Sequence, residues 1–244
     1  MEIAQKLLSS LFPSRCIFCQ KTVQKPAVSQ KAEICQDCYQ VLPHNNNCCR
    51  HCALPLPEEV DSQVLCGRCL KQRPQYSYSI SLFHYEADII SLIHQLKFGE
   101  KISYARSMGE LLLAAVKNGV LQQYGKADCI IPVPLHNKRL RQRGYNQSTE
   151  IARVLSKELK VPIAHDVVIK KQSTKAQSEL TAKERRKNIK GVFTVVDVKK
   201  YKHVWIVDDV VTTGSTVNEL AKILKSSGVE RIGVLSLARA PLKS

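Results

Sequence analysis

Apolar positions in the last two-thirds of the chain follow two alternating periods. Residues 78–83 alternate as a strand, and Ile89, Leu92, Ile93 and Leu96 fall at helical spacing up to Gly99. Met108, Leu111, Leu112, Ala115 and Val116 repeat that stripe on a second helix. Residues 129–133 read as a buried strand, followed by a loop and a helix carrying Ile151, Val154, Leu155 and Leu159. Further strands are expected at 167–169 and 192–196. Val204-Trp205-Ile206-Val207 is a continuous apolar run, the pattern of a central parallel strand buried on both faces. A helix with Val217, Leu220, Ala221 and Leu224 ends at Gly228, and residues 231–238 supply a last strand. Strands alternating with helices predict an α/β fold, a mostly parallel sheet flanked by helices.

Before residue 75 this periodicity vanishes and cysteine takes over. Nine of the ten cysteines lie between Cys16 and Cys69, and eight form C-x2-C pairs: Cys16/Cys19, Cys35/Cys38, Cys49/Cys52 and Cys66/Cys69. Two thiolates from one tight knuckle, joined by two from another, complete a closed tetrahedral site for zinc. Metal would then replace the core that so short a stretch cannot bury. Sequential pairing gives two consecutive ribbons, while crossed pairing has the same spacing. A disulfide framework is the other use of such cysteines, but it belongs to oxidising compartments. Cys48 and His51 form an offset pair able to replace a ligand, although Cys48 reads better as a bystander, and Cys129 reads as a small buried hydrophobe. The expected division is therefore 1–75, a short N-terminal helix with two metal ribbons, and 76–244, the α/β domain.

The chain carries 37 Lys and Arg against 21 Asp and Glu, a net charge of +16. Residues 1–75 hold nine basic and six acidic residues (+3), and 76–244 hold 28 and 15 (+13). Such a field draws phosphates, on a metabolite or along a nucleic acid. No apolar run nears the ~18–20 residues of a membrane span. Met1 to Phe12, with Glu2 and Lys6, lacks the form of a secretory signal, so a cytoplasmic protein is expected.

In a parallel sheet the chemistry gathers beyond the carboxyl ends of the strands. After Val207 come Asp208, Asp209, Val210, Val211, Thr212, Thr213, Gly214, Ser215 and Thr216. The last five offer amides, hydroxyls and a helix N-terminus, an anion cradle. Carboxylates beside such a cradle suit a ligand with cis hydroxyls next to a phosphate, as in ribose 5-phosphate. The bland alternative is a solvated turn with Ser215 capping the helix.

Residues 204–216, V-W-I-V-D-D-V-V-T-T-G-S-T, resemble the phosphoribosyl pyrophosphate (PRPP) motif of type I phosphoribosyltransferases. Along the whole chain the resemblance is to the ComF (ComFC) late-competence family, which joins a double zinc ribbon to a phosphoribosyltransferase-like domain. Ile131-Pro132-Val133-Pro134-Leu135 with Arg143-Gly144-Tyr145-Asn146-Gln147 matches one signature of that family. A second match runs through Thr174, Gln177, Leu180, Arg185, Asn188, Gly191 and Phe193.

The resemblance implies that Asp208 and Asp209 hold the ribose hydroxyls and serve catalysis, that Val210 to Thr216 form the PRPP-binding segment, and that Thr212 to Thr216 within it hold the 5-phosphate. It places Lys138, Arg139, Arg141, Arg143, Gly144 and Asn146 in a basic loop at the pyrophosphate. It makes residues 170–191, with eight basic and two acidic residues, a flexible loop over PRPP bearing Thr174, Gln177, Arg185, Arg186 and Asn188. A solvated basic hairpin is the alternative for that segment. Magnesium would accompany PRPP, and its oxygen ligands do not compete with the zinc thiolates. Thr212 stands where purine-salvage enzymes carry an acid, so purine salvage is not implied and the acceptor stays open. Two readings follow. One is a PRPP- and magnesium-dependent phosphoribosyltransferase acting in DNA uptake, with single-stranded DNA and a ComFA-type helicase as partners. The other is a non-catalytic adaptor that binds single-stranded nucleic acid through the ribbons and the basic face, with PRPP as a regulator or not bound.

Overall fold

The computed structural model describes residues 14–29, 31–57, 64–98, 102–170 and 191–242. The expected N-terminal helix, and Thr174, Gln177, Arg185, Arg186 and Asn188, lie outside the described residues. Four parallel strands form the central sheet: β1 (Tyr78–His84), β2 (Cys129–Pro132), β5 (His203–Val211) and β6 (Arg231–Arg239), in the order β1-β6-β5-β2. Strands β3 (Val168–Lys170) and β4 (Phe193–Val195) pair antiparallel in a separate small sheet and flank residues 171–190.

The helical stripes face the sheet as their spacing requires. On α3 (Ala87–Phe98), Ile89, Leu92, Ile93 and Leu96 are buried at i, i+3, i+4 and i+7. Helix α4 (Ile102–Ala115) runs through a single π turn (Val116–Val120) into the short α5 (Leu121–Tyr124). It packs closely on α7 (Gln147–Leu159), where a Cβ on Gly109 would lie 2.7 Å from Val154 Cγ2. Helix α8 (Ser215–Ser226) buries Val217, Leu220, Ala221 and Leu224.

Side chains of β5 alternate between two cores. Trp205 and Val207 join the core of α3, α4 and α7, and Val204 and Ile206 join that of α8. Each half of the cysteine-rich region caps one of these cores. Ile17, Ile34 and Leu42 pack with the α3–α4 side, whereas Cys49, Cys52, Leu54, Cys66, Cys69 and Tyr76 pack with the α8 side. The segment before residue 75 therefore shares its apolar burial with the α/β part. Polar ties join them as well: Ser29 Oγ donates to the buried Glu110 at 3.0 Å, and Lys31 pairs with Glu158 at 2.5 Å.

Two local expectations change. Strand β5 does not end at Val207 but runs through the acidic pair to Val211, with Val210 opposite Ala238 and Val211 opposite Arg239. The cation-rich segment after β2 is not a loop but a helix, α6 (Asn137–Arg143). His136 Nδ1 caps it by accepting from the Lys138 amide at 3.1 Å, and Gly144, at φ +75°, ends it in the left-handed conformation that glycine adopts without strain. Among the described residues no helix is long and apolar enough to cross a membrane.

Candidate functional site

The eight paired cysteines converge in two quartets, Cys16, Cys19, Cys35 and Cys38 in one and Cys49, Cys52, Cys66 and Cys69 in the other. This is the sequential pairing. Within each quartet all sulfurs lie within 4.8 Å of one another, with Cys19 to Cys35 at 3.9 Å and Cys52 to Cys66 at 3.6 Å. Four thiolates at ~2.3 Å from a tetrahedral zinc would stand ~3.8 Å apart, so both quartets fit that ion. The Cys49 thiol is held down to about 4 by the hydrogen bond from Cys52 and, further, by the Cys66 amide. Cys48 and His51 remain outside the quartets, His51 stacking on Tyr76 at 5.5 Å. Cys129 is fully buried in β2.

The acidic pair sits at the carboxyl end of the sheet, next to the start of α7. Asp209 is buried, and its Oδ2 lies 2.6 Å from the Lys97 ammonium in the last turn of α3. Ser148 Oγ, in the first turn of α7, donates to Asp208 Oδ1 at 3.2 Å. The Asp209 amide also donates to Asp208 Oδ1, at 2.9 Å. Burial and the neighbouring charge of Asp209 push the Asp208 carboxyl up to about 8, against the pull of Lys97. Burial alone would lower the Lys97 ammonium, but Asp209's charge and hydrogen bond outweigh it and raise it.

Cations surround the pair. Arg143 is half-buried and feels the charges of Asp209 and Arg139. Lys170, at the end of β3, is brought down to about 8 by burial and by Arg139, against the charge of Asp208. Lys138 and Arg141, on the same α6, are exposed instead. Asn146 caps α7, accepting from the Ser148 amide at 3.1 Å and donating to the Val133 carbonyl at 3.0 Å. Of the expected basic segment, Arg143 thus lies in the field of Asp209 with Arg139 near it and near Lys170, Gly144 and Asn146 shape the backbone, and Lys138 and Arg141 face solvent.

Beyond the pair, the side chains of Val210 and Val211 are buried in the sheet, and residues 212–216 turn into α8 half-buried. Gly214, at φ +76°, is the residue before the helix, and Thr213 Oγ1 meets Ser215 Oγ at 2.8 Å and accepts from its amide at 3.3 Å. The loop is held from behind by two arginines, Arg239 and Arg68. Lys97, Ser148 and Arg239 escaped sequence reasoning, and Lys170 entered it only as the first residue of the 170–191 segment. Ser148 directly follows the Asn146-Gln147 signature and was within reach, but Lys97 had no local signal beyond ending an apolar stripe.

Residues 7–70 match the family described as a double zinc ribbon domain, and residues 146–243 match the phosphoribosyl transferase domain. Competence protein F of Haemophilus influenzae is 35% identical over 240 residues, covering 96% of this chain and 100% of that protein. The chain belongs to the ComF competence family. Similar at 34% identity over 210 residues is the DNA utilization protein YhgH of Escherichia coli strain K12, with 84% of this chain and 90% of that protein covered. Competence protein ComFC of Streptococcus pneumoniae is 26% identical over 119 residues, 49% of this chain and 51% of that protein. The ComF assignment accounts for both halves of the molecule, the zinc-binding quartets and the transferase-type sheet.

Proposed function

We propose that this ComF protein binds PRPP with magnesium and transfers, or is built to transfer, its phosphoribosyl group to an acceptor during DNA uptake. The observation that carries this reading is the acidic pair on β5 running straight into the half-buried turn 212–216 at the start of α8. The carboxylates would hold the cis hydroxyls of the ribose, and the turn its 5-phosphate. In the reaction the C1–O bond to pyrophosphate breaks and its electron pair leaves with the pyrophosphate, while the acceptor's lone pair forms the new bond at C1. Positive charge grows on the sugar beside Asp208 and Asp209, and negative charge grows on the leaving group, which the cations of α6 and Lys170 would offset.

The oxygen donors of the pair are the hard ligands that magnesium takes. Asp208 is raised to about 8 by burial first and by the charge of Asp209 second, both of which a further cation on the pair would offset. Magnesium held there would be such a cation and would neutralise the pyrophosphate as well.

Calorimetric titration of PRPP with and without magnesium tests the reading. Saturable binding that needs both is expected, and a folded, zinc-loaded protein that takes no PRPP would overturn it. The exposure of Lys138 and Arg141 favours a concurrent role in binding single-stranded DNA, in keeping with relatives named for competence and DNA utilization. A ComFA-type helicase is the partner this role would serve.

A further inference from the structure

Arg239, the last residue of β6, is only 2% exposed. Its Nε donates to the Cys52 carbonyl at 3.2 Å. Its Nη1 donates to the carbonyls of Val211 at 2.9 Å, Thr212, and Ala240 at 2.9 Å. Cys52 belongs to the second cysteine quartet. Arg68, on the short α2 (Gly67–Lys71) that also carries Cys69, donates to the Thr213 carbonyl at 3.2 Å. A third tie joins the Gln75 amide to Asn218 Oδ1, on α8, at 2.7 Å. Between these tethers the seam leaves a pocket of about 270 Å3, open to solvent and lined by Arg68, Arg73, Tyr76, Ser215 and Arg239 among others. The turn is therefore held to the ribbon by directed hydrogen bonds across a gap.

Elementary peptide geometry gives these bonds a consequence. In a planar trans peptide the C=O of one residue and the N–H of the next point in opposite directions. Arginines that draw the carbonyls of Val211, Thr212 and Thr213 toward the ribbon turn the amides of Thr212, Thr213 and Gly214 away from it. Among the described residues the amides of Thr213 and Gly214 meet no acceptor. They are left for an anion on the opposite side.

We propose that Arg239 is a positioning residue for the phosphate turn, and that metal closure of the second ribbon sets it. Closed on a metal ion, Cys49, Cys52, Cys66 and Cys69 would fix the Cys52 carbonyl and the helix bearing Arg68, these would fix the carbonyls of residues 211–213, and the amides would thereby be aimed before the ligand arrives. The first quartet plays no part, for its half of the ribbon packs on α4 and α7 instead. The ligand side of this inference rests on the PRPP reading above. The coupling of ribbon to turn does not.

The test uses the full chain and two readouts: hydrogen exchange, without ligand, of the bonded amides that anchor the turn, Ser215, Asn218 and Ala240, and calorimetric binding of magnesium–PRPP. Cys52→Ser, Arg68→Met and Arg239→Lys are compared with Cys35→Ser, with zinc equivalents and circular dichroism measured for each. Loss of hydrogen bonds from charged donors is expected to speed exchange in the turn about tenfold and to weaken PRPP to a similar degree. Arg68 is exposed, so its variant keeps the test alive if the Arg239 variant misfolds. Cys35→Ser should lose one zinc yet leave the turn as in wild type. Unchanged exchange in both Cys52→Ser and Arg68→Met, or an equal rise in Cys35→Ser, would overturn the proposal. Faster exchange in a protein whose wild type takes no PRPP would uphold the coupling and reject the PRPP reading alone.

Discussion

Lys97 Nζ lies 2.6 Å from Asp209 Oδ2, so the acidic pair of the ligand-free protein already holds one internal cation. That contact is made to Asp209 rather than to Asp208. The Asp208 carboxyl is raised to about 8 by burial first and by Asp209 second. The folded protein therefore binds a proton that the unfolded chain releases near pH 4. A group raised in the folded state stabilises fully below its unfolded pKa and loses that contribution as pH climbs through the folded value. The ligand-free protein should thus lose stability between about pH 4 and pH 8, by at most ~1.4 kcal/mol per pH unit from this group. Melting temperatures measured across that range check it, and Asp208→Asn should flatten the slope. A slope identical in the variant would show that Asp208 does not titrate there.

Removing the internal cation should make the pair worse in the absence of ligand. Lys97→Met leaves Asp209 buried without its partner, and breaking a buried pair typically costs ~3–5 kcal/mol. Asp209→Asn in the same background should recover most of that loss, which a double-mutant cycle in urea would read directly. Additive losses would mean that the two groups do not depend on each other.

The architecture was largely legible because its signals are local. The apolar run 204–207 required burial on both faces, and β5 indeed divides those side chains between two cores. The four C-x2-C pairs marked the metal quartets, but the sequential partnering needed the fold to bring knuckles together. The length of β5 was hidden. Two carboxylates look like the end of a strand, and the strand continues only because Lys97, distant in sequence, meets Asp209 while β6 keeps pairing with Val210 and Val211. Arg239 was hidden for the same reason, since its role lies in carbonyls contributed by three separate segments.

Replacing both carboxylates by amides separates the two ligand classes. Asp208→Asn with Asp209→Asn should weaken magnesium–PRPP by a few kcal/mol at most, each hydrogen bond to a charged group being worth ~1.5–3 kcal/mol. Single-stranded DNA should bind equally well or slightly tighter, because two repelling charges disappear. Collapse of DNA binding in a folded variant would assign the pair to a different site.

Metal analysis of the purified chain should return near two zinc equivalents, one for each cysteine quartet. Cys16→Ser should lose one of them. The first ribbon shares Ile17, Ile34 and Leu42 with the core of α3, α4 and α7. The loss should therefore lower the melting temperature of the whole molecule rather than unravel a separate unit. A second, independent transition in the variant would contradict that shared core.

The four cations of α6 should divide by exposure. Lys138 and Arg141 face solvent, whereas Arg139 and Arg143 are half-buried, Arg143 within reach of the charge of Asp209. Each phosphate contact removed from a single-stranded complex lowers the slope of log K against log salt by ~0.7. Lys138→Ala with Arg141→Ala should therefore flatten the slope for single-stranded DNA by about 1.4 and leave PRPP affinity unchanged. Arg139→Ala with Arg143→Ala should do the reverse, weakening PRPP while altering the DNA slope little, since both are half-buried and Arg143 lies in the field of Asp209, whose carboxylate repels a nucleic-acid backbone. Titrations at four salt concentrations for each double variant resolve the two effects. If both pairs moved both ligands alike, α6 would be one continuous phosphate-binding face, and DNA and PRPP would then compete for it.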